Sequence, residues 1–256
     1  MHFANDGKRH VVKKAPTGKV SVGGSTNRAG GGAQTPEEAV TLPEAAYQAI
    51  RGHILDNRWS PGFQMTEQEI ATEFGMSRTP VREAMLRLQQ EGLIAVVPRH
   101  GMRVLPISPS DMKEIYEVLT SLEGTAAELA ASKELSDEEL HVLDIALDAM
   151  DDALKKDDLD AWAKADEDFH AQLLDLCGNR LIKQLVSNTW DRAHRARMVT
   201  LRLRSKPIKS TREHRAMVKA IRQRDPAAAR ELLRAHRERA GGELLEILEK
   251  FGLKRL

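Results

Sequence analysis

Apolar side chains recur three and four positions apart along most of the chain beyond residue 40, and the places where that period breaks divide it into elements. Leu42, Tyr47, Ile50 and Ile54 predict a leading helix, closed off by a turn at Pro61-Gly62. Ile70, Ala71 and Phe74 mark a short second helix. Its start is set by a capping box, Thr66 with Glu69 three residues on, and Gly75 supplies a left-handed stop. Val81, Ala84, Met85 and Leu88 are the stripe of a third helix, opened by Thr79 as cap and Pro80 at the first helical position. The period then gives way to two continuous apolar runs, Leu93 to Val97 and Met102 to Leu105. Pro98, Arg99, His100 and Gly101 lie between them, which predicts a small β-hairpin with a basic tip.

Past a boundary at Pro106 to Pro109 only the helical period remains. Six helices are expected: from Ser108 or Ser110 to about Ser132, from Ser136 (boxed with Glu139) through Leu154, Leu159 to Cys177, Leu181 to about Leu203, Ser210 to Gln223, and Pro226 to Phe251. Gly241-Gly242 can interrupt the last, at about 1 kcal/mol per glycine. The predicted fold is mostly α: an N-terminal winged helix-turn-helix over residues 39–105, followed by an all-α antiparallel helical bundle over 106–256.

Composition narrows the class. A chain of 256 residues with 30% charged positions has room for two cores, and its single cysteine, Cys177, cannot form an internal disulfide, which fits a reducing cytoplasm. No apolar run approaches the ~20 residues of a membrane span, and the N-terminus lacks the apolar core of a signal peptide, so a cytoplasmic protein with no membrane partner is expected. Residues 1–38 read as a disordered basic tail, with Lys8, Arg9, Lys13, Lys14 and Lys19 ahead of Gly30-Gly31-Gly32. A net charge of +1 excludes a bulk-electrostatic DNA binder, so affinity for DNA must come from arginines in particular places.

Those places are visible. Arg78, Thr79 and Arg82 fall on the exposed N-terminal side of the third helix, where an arginine can donate two hydrogen bonds to a guanine edge. Arg99 and His100, at the hairpin tip, are set to touch sugar-phosphate or minor groove. The other anomaly lies in the bundle. Asp166 and His170 sit one turn apart on the inward face of the helix from Leu159, His214 shares the stripe of Met217, Val218 and Ile221, and His236 that of Ala229, Leu232 and Leu233. One such histidine is ordinarily a hydrogen-bonded core residue; four candidate ligands pointing into one bundle read as a divalent metal site. One carboxylate and three imidazoles suit zinc first, with nickel or manganese as alternatives.

The run from Leu42 to Val104 resembles the winged helix-turn-helix of the GntR family of bacterial transcription regulators, and S-R-T-P-V-R-E-A (Ser77 to Ala84) is close to that family's commonest form. The resemblance implies DNA contacts by Arg51, Arg78, Thr79, Arg82, His100 and Gly101. Gln68 departs from it, standing where many members carry an arginine. Glu114 to Leu248 resembles the FCD effector-binding domain of the FadR-like branch, through D-E-D-F-H, G-N-R-L, E-H-R-A and R-A-H. That likeness implies Asp166, His170, His214 and His236 as the metal ligands. Leu119, in E-V-L-T-S-L-E, stands where many members have an arginine that helps bind an acidic effector. Arg192, Arg195 and Arg197 are the replacement cations, with Arg192 and Arg195 assigned to the effector. The implied function is a ligand-responsive repressor, released from an inverted-repeat operator on double-stranded DNA, which it binds as a homodimer, by a small organic acid bound near the metal. An architectural DNA-binding protein with a structural metal, or a metal-dependent hydrolase, are the alternatives; the chain has no H-E-x-x-H helix and no nucleophile elbow to support the latter.

Overall fold

The computed structural model describes residues 40–254, so the expected basic tail lies outside the described residues. The N-terminal part runs α1 (Leu42–Leu55), β1 (Gln64–Met65), α2 (Glu67–Glu73), α3 (Arg78–Gln90), β2 (Ile94–Val97) and β3 (Gly101–Val104). The capping box of α2 is formed as the residues dictate: Thr66 Oγ1 accepts from the Glu69 amide at 3.2 Å, and the Glu69 carboxylate accepts from the Thr66 amide at 2.8 Å. Helix α3 starts earlier than its sequence suggests. Ser77, not Thr79, is the cap, and Thr79 and Pro80 lie within the first turn, where amide groups have no intrahelical acceptor and a proline forfeits nothing.

The hairpin gains a third strand that two residues cannot announce by alternation. β1 pairs antiparallel with β3, giving the order β1-β3-β2, with Gln64 opposite Arg103 and Ile94 opposite Val104. Gly101 makes this possible: at φ 80° a Cβ there would stand 2.2 Å from the Met65 carbonyl oxygen. Ile50, Ile54, Ile70, Val81, Met85, Leu88, Met102 and Val104 close one core beneath the three helices and the sheet.

The C-terminal part is helical: α4 (Pro109–Ala131), α5 (Asp137–Lys155), α6 (Leu159–Cys177), α7 (Arg180–Leu201), α8 (Ile208–Arg222) and α9 (Pro226–Lys250). Ser108, boxed with Asp111, caps α4, and Ser136, boxed with Glu139, caps α5. Helix α8 begins two residues before Ser210, which is buried and accepts a hydrogen bond from Arg239 at 3.0 Å instead of capping. Helix α9 runs through Gly241-Gly242 without a break. At Gly241 the Tyr116 ring of α4 lies so close that a Cβ would meet its Cδ1 at 2.8 Å, so this glycine lets two helices approach rather than ending one. Two apolar clusters fill the bundle, one around Leu147, Trp162, Phe169 and Met217 and one around Ile115, Leu119, Trp190 and Leu244. Charged and polar groups of α4, α6, α7, α8 and α9 are buried with them: Glu123, Asp166, His170, Arg197, His214, His236 and Arg237.

Candidate functional site

His170 from α6, His214 from α8 and His236 from α9 meet in the buried bundle, each offering a ligand atom, all within 4.8 Å of one another. His214 Nε2 and His236 Nε2 are 3.2 Å apart. Glu213 fixes one of these rings: its Oε2 accepts from His236 Nδ1 at 2.8 Å, which leaves the Nε2 lone pair aimed at His214. His170 Nδ1 lies 3.0 Å from Glu123 Oε2 but out of line for a hydrogen bond. Both ring nitrogens of His170, and Nδ1 of His214, are thus buried without a partner among the described residues. An orphaned buried polar atom costs about 1–3 kcal/mol. Tetrahedral zinc with Zn–N near 2.0–2.1 Å sets neighbouring ligand nitrogens about 3.3–3.4 Å apart; the His214–His236 pair is close to this, and with His170 within 4.8 Å of both the histidine triad could hold a metal.

Burial favours the neutral form of His214 and His236, the form in which an imidazole coordinates. Burial and the facing His236 hold His214 well below the usual histidine range; burial also lowers His236 to about 4, although Glu213 opposes it. Burial would raise the carboxyl of Glu123, but Arg237, on its two oxygens at 2.7 and 2.8 Å, outweighs it and brings it down to about 2. Asp166 has the same history: burial opposes ionisation, and Arg197 wins, so its pKa falls far below the ordinary carboxylate value.

Asp166 is therefore an ionised member of the centre but not one of the converging ligand atoms. Its Oδ2 accepts from Arg197, and its Oδ1 stands 3.8 Å from His214 Nδ1. The guanidinium groups of Arg197 and Arg237 lie 4.1 and 4.7 Å from the ring centre of Trp190. They supply the buried positive charge of the centre, while Leu119 is packed into the apolar cluster. Arg192 and Arg195, expected to bind effector, do not line this centre. Arg195 Nη2 donates to the Leu105 carbonyl at 2.6 Å, and Arg192 lies 3.9 Å from Asp111 and against Gly92. A two-residue step along a helix turns a side chain by about 200°, so Arg195 and Arg197 cannot share a face. Glu123 and Arg237 went unread in the sequence. Their signal was there, a glutamate four residues after Leu119 on an apolar stripe and an arginine beside a candidate ligand, but only pairing across 114 residues explains it.

On the N-terminal part, Arg78, Thr79 and Arg82 stand exposed together at the start of α3. Glu67 of α2 reaches both arginines, Arg78 at 3.1 Å and Arg82 at 3.5 Å, and so orients them. Arg99 and His100 are exposed at the tip of the β2–β3 hairpin, with Arg99 at φ 65°. Gly101 carries the structural duty described above. Arg51 is engaged by the bundle: its Nε and Nη2 both donate to the Asp191 carboxylate on α7.

A winged three-helix head joined to a helical bundle with a buried histidine centre defines the class: a winged helix-turn-helix domain carried on an all-helical bundle. Residues 42–104 match the family described as bacterial regulatory proteins, gntR family, and residues 114–239 match the FCD domain. An HTH-type transcriptional regulator from the TAR-I ttuE-ttuC' intergenic region of Agrobacterium vitis is 48% identical over 132 residues, 51% of this chain and 77% of that one. The HTH-type transcriptional repressor RspR of Escherichia coli (strain K12) is 26% identical over 204 residues, covering 80% of this chain and 89% of RspR. Among solved structures, E. coli McbR/YncC shares the fold, with a TM-score of 0.70 at 20% identity over 81% of this chain and 99% of its own. The chain belongs to the GntR family of bacterial transcription regulators, with an FCD domain as its second part. Its relatives are regulators rather than enzymes, and among the described residues no helix is long and apolar enough to cross a membrane.

Proposed function

We propose that this regulator is a repressor that binds an inverted-repeat operator as a homodimer, holds one divalent ion at His170, His214 and His236, and leaves DNA when a small organic acid binds beside that ion. The observation that carries the reading is the convergence of three buried imidazoles, with nitrogens of His170 and His214 left without a partner among the described residues. Three imidazoles suit zinc, with nickel and manganese as lesser fits, and Asp166 would join as a fourth ligand if Arg197 released it. Arg197 and Arg237 supply positive charge for a carboxylate, in the part Arg192 and Arg195 do not reach. Repression is supported by the name of RspR. Arg78, Thr79 and Arg82 would read the major groove, with Arg99 and His100 on the flanking backbone.

Metal analysis of protein purified without chelators tests the first half: about one equivalent per chain is expected, and His214→Ala should lose it together with several degrees of melting temperature. DNA selected from a random pool by the wild type, titrated with and without short carboxylic acids, tests the second. Protein that takes up no zinc, nickel or manganese returns the histidines to the role of polar core residues. Zinc-loaded protein whose DNA affinity no acid alters would instead be an architectural binder with a structural ion.

A further inference from the structure

A cavity of about 110 Å³ opens beside the histidine centre, and its walls come from both halves of the chain. His170, Glu123 and Trp190 form its inner side; Arg51, Glu167 and Asp191 form its outer side. Arg51 belongs to α1, the first helix of the DNA-binding head. It grips Asp191 of α7 with two parallel hydrogen bonds, across 140 residues of sequence. The Asp191 side chain is 8% exposed and that of Arg51 28%, so the pair is well shielded from salt. Bidentate arginine–carboxylate pairs of this kind fix orientation as well as charge. Arg51 spends Nε and Nη2 on Asp191, and among the described residues its Nη1 has no hydrogen-bond partner.

We infer that Arg51–Asp191 is a latch through which an anion in this cavity acts on the head: a carboxylate entering beside His170 takes the free Nη1 of Arg51, bridges the guanidinium to the bundle, and holds it away from DNA. The inference rests on the reading of the bundle as an acid-responsive metal centre. The cavity volume of about 110 Å³ limits the ligand to a short acid. The charges agree with that choice. Glu123 is already saturated by Arg237 beside His170, so it demands no further cation; an entering anion shares Arg51 with Asp191 and Glu167 on the wall, where Lys183 is the second cation.

While latched, Arg51 adds nothing to phosphate attraction, and α1 is tied to α7. Release of Asp191 gives the head one more free cation and the freedom to match half-site spacing. Binding of the acid and binding of DNA then compete for one guanidinium, which couples the two sites reciprocally.

Asp191→Asn keeps the shape and removes the charge. Zinc-loaded wild type and variant would be titrated with the selected duplex over a series of salt concentrations, with malate as the acid probe, and followed by hydrogen exchange at α1. The variant should bind DNA three- to tenfold tighter without malate, its salt dependence should steepen by about one counterion, α1 should exchange faster, and malate should weaken its DNA binding less than it weakens that of the wild type. Unchanged DNA affinity, salt slope and exchange in Asp191→Asn overturn the latch, whether or not malate binds. A variant that is tighter on DNA, beside a wild type that ignores malate and every other short acid, supports the latch and overturns the acid-responsive reading instead.

Discussion

At the scale of single residues, the DNA face has two kinds of arginine, and they should fail differently. Arg82 is held by Glu67 at the start of α3, on the end that enters a major groove. Arg82→Ala should cost about 1–3 kcal/mol of affinity, with relaxed preference at one position of each half-site, measured by titrating a set of single-base operator variants. Arg99, beside His100 on the exposed hairpin tip, should act as a phosphate contact. Arg99→Ala should weaken all sequences about equally and flatten the salt dependence by about one counterion. A uniform loss for Arg82→Ala would move that residue from base reading to backbone contact.

At the scale of elements, α9 holds two adjacent glycines with opposite roles. Gly241 faces α4, where the Tyr116 Cβ and ring leave no space for a methyl group. Gly241→Ala must push two long helices apart and should cost about 1–3 kcal/mol in denaturant unfolding. Gly242 is exposed, meets nothing within 4 Å and has an ordinary helical backbone, so Gly242→Ala should stabilise by about 0.5–1 kcal/mol through propensity alone. Equal effects at the two positions would mean that helix propensity, not the approach of α4, governs this stretch. Gly101 is the corresponding device in the sheet, admitting β1 to the edge of β3.

At the scale of the whole molecule, the junction between head and bundle contains a histidine that titrates far from its ordinary value. Burial, and then the charge of Arg197, lower His194 to about 4; Asp191 and Asp56 pull the other way, and Arg51 adds to the depression. The unfolded chain binds this proton near pH ~6.5 and the folded one only near 4, so His194 favours folding fully above the higher value. That contribution is lost as pH falls through the interval between them. Zinc-free protein with a chelator should therefore lose stability from pH 7.5 to 5, and His194→Gln should remove a share on the order of 1–3 kcal/mol of that loss. A variant whose stability falls as steeply as the wild type's would show that His194 is protonated equally in both states.

Local chemistry determined much of this protein. The boxes at Thr66 and Ser136, the left-handed Gly75 and the apolar stripes of the helices depend on residues within four positions of one another, and short-range hydrogen bonds and periodic burial enforce them wherever the chain lies. The motif around Ser77 to Ala84 and the run of inward histidines were legible for the same reason. What only the tertiary structure decided was partnership. Asp166 is taken by Arg197, Glu123 by Arg237 and Arg51 by Asp191, each choice made between different helices, the last two across more than 100 residues. The turn by which Arg197 faces the histidines while Arg195 faces Leu105 also depends on how α7 is seated, not on its composition. A buried charge must find its counter-charge, and periodicity says that one is needed without saying which; the packing of α4, α6, α7 and α9 makes that selection.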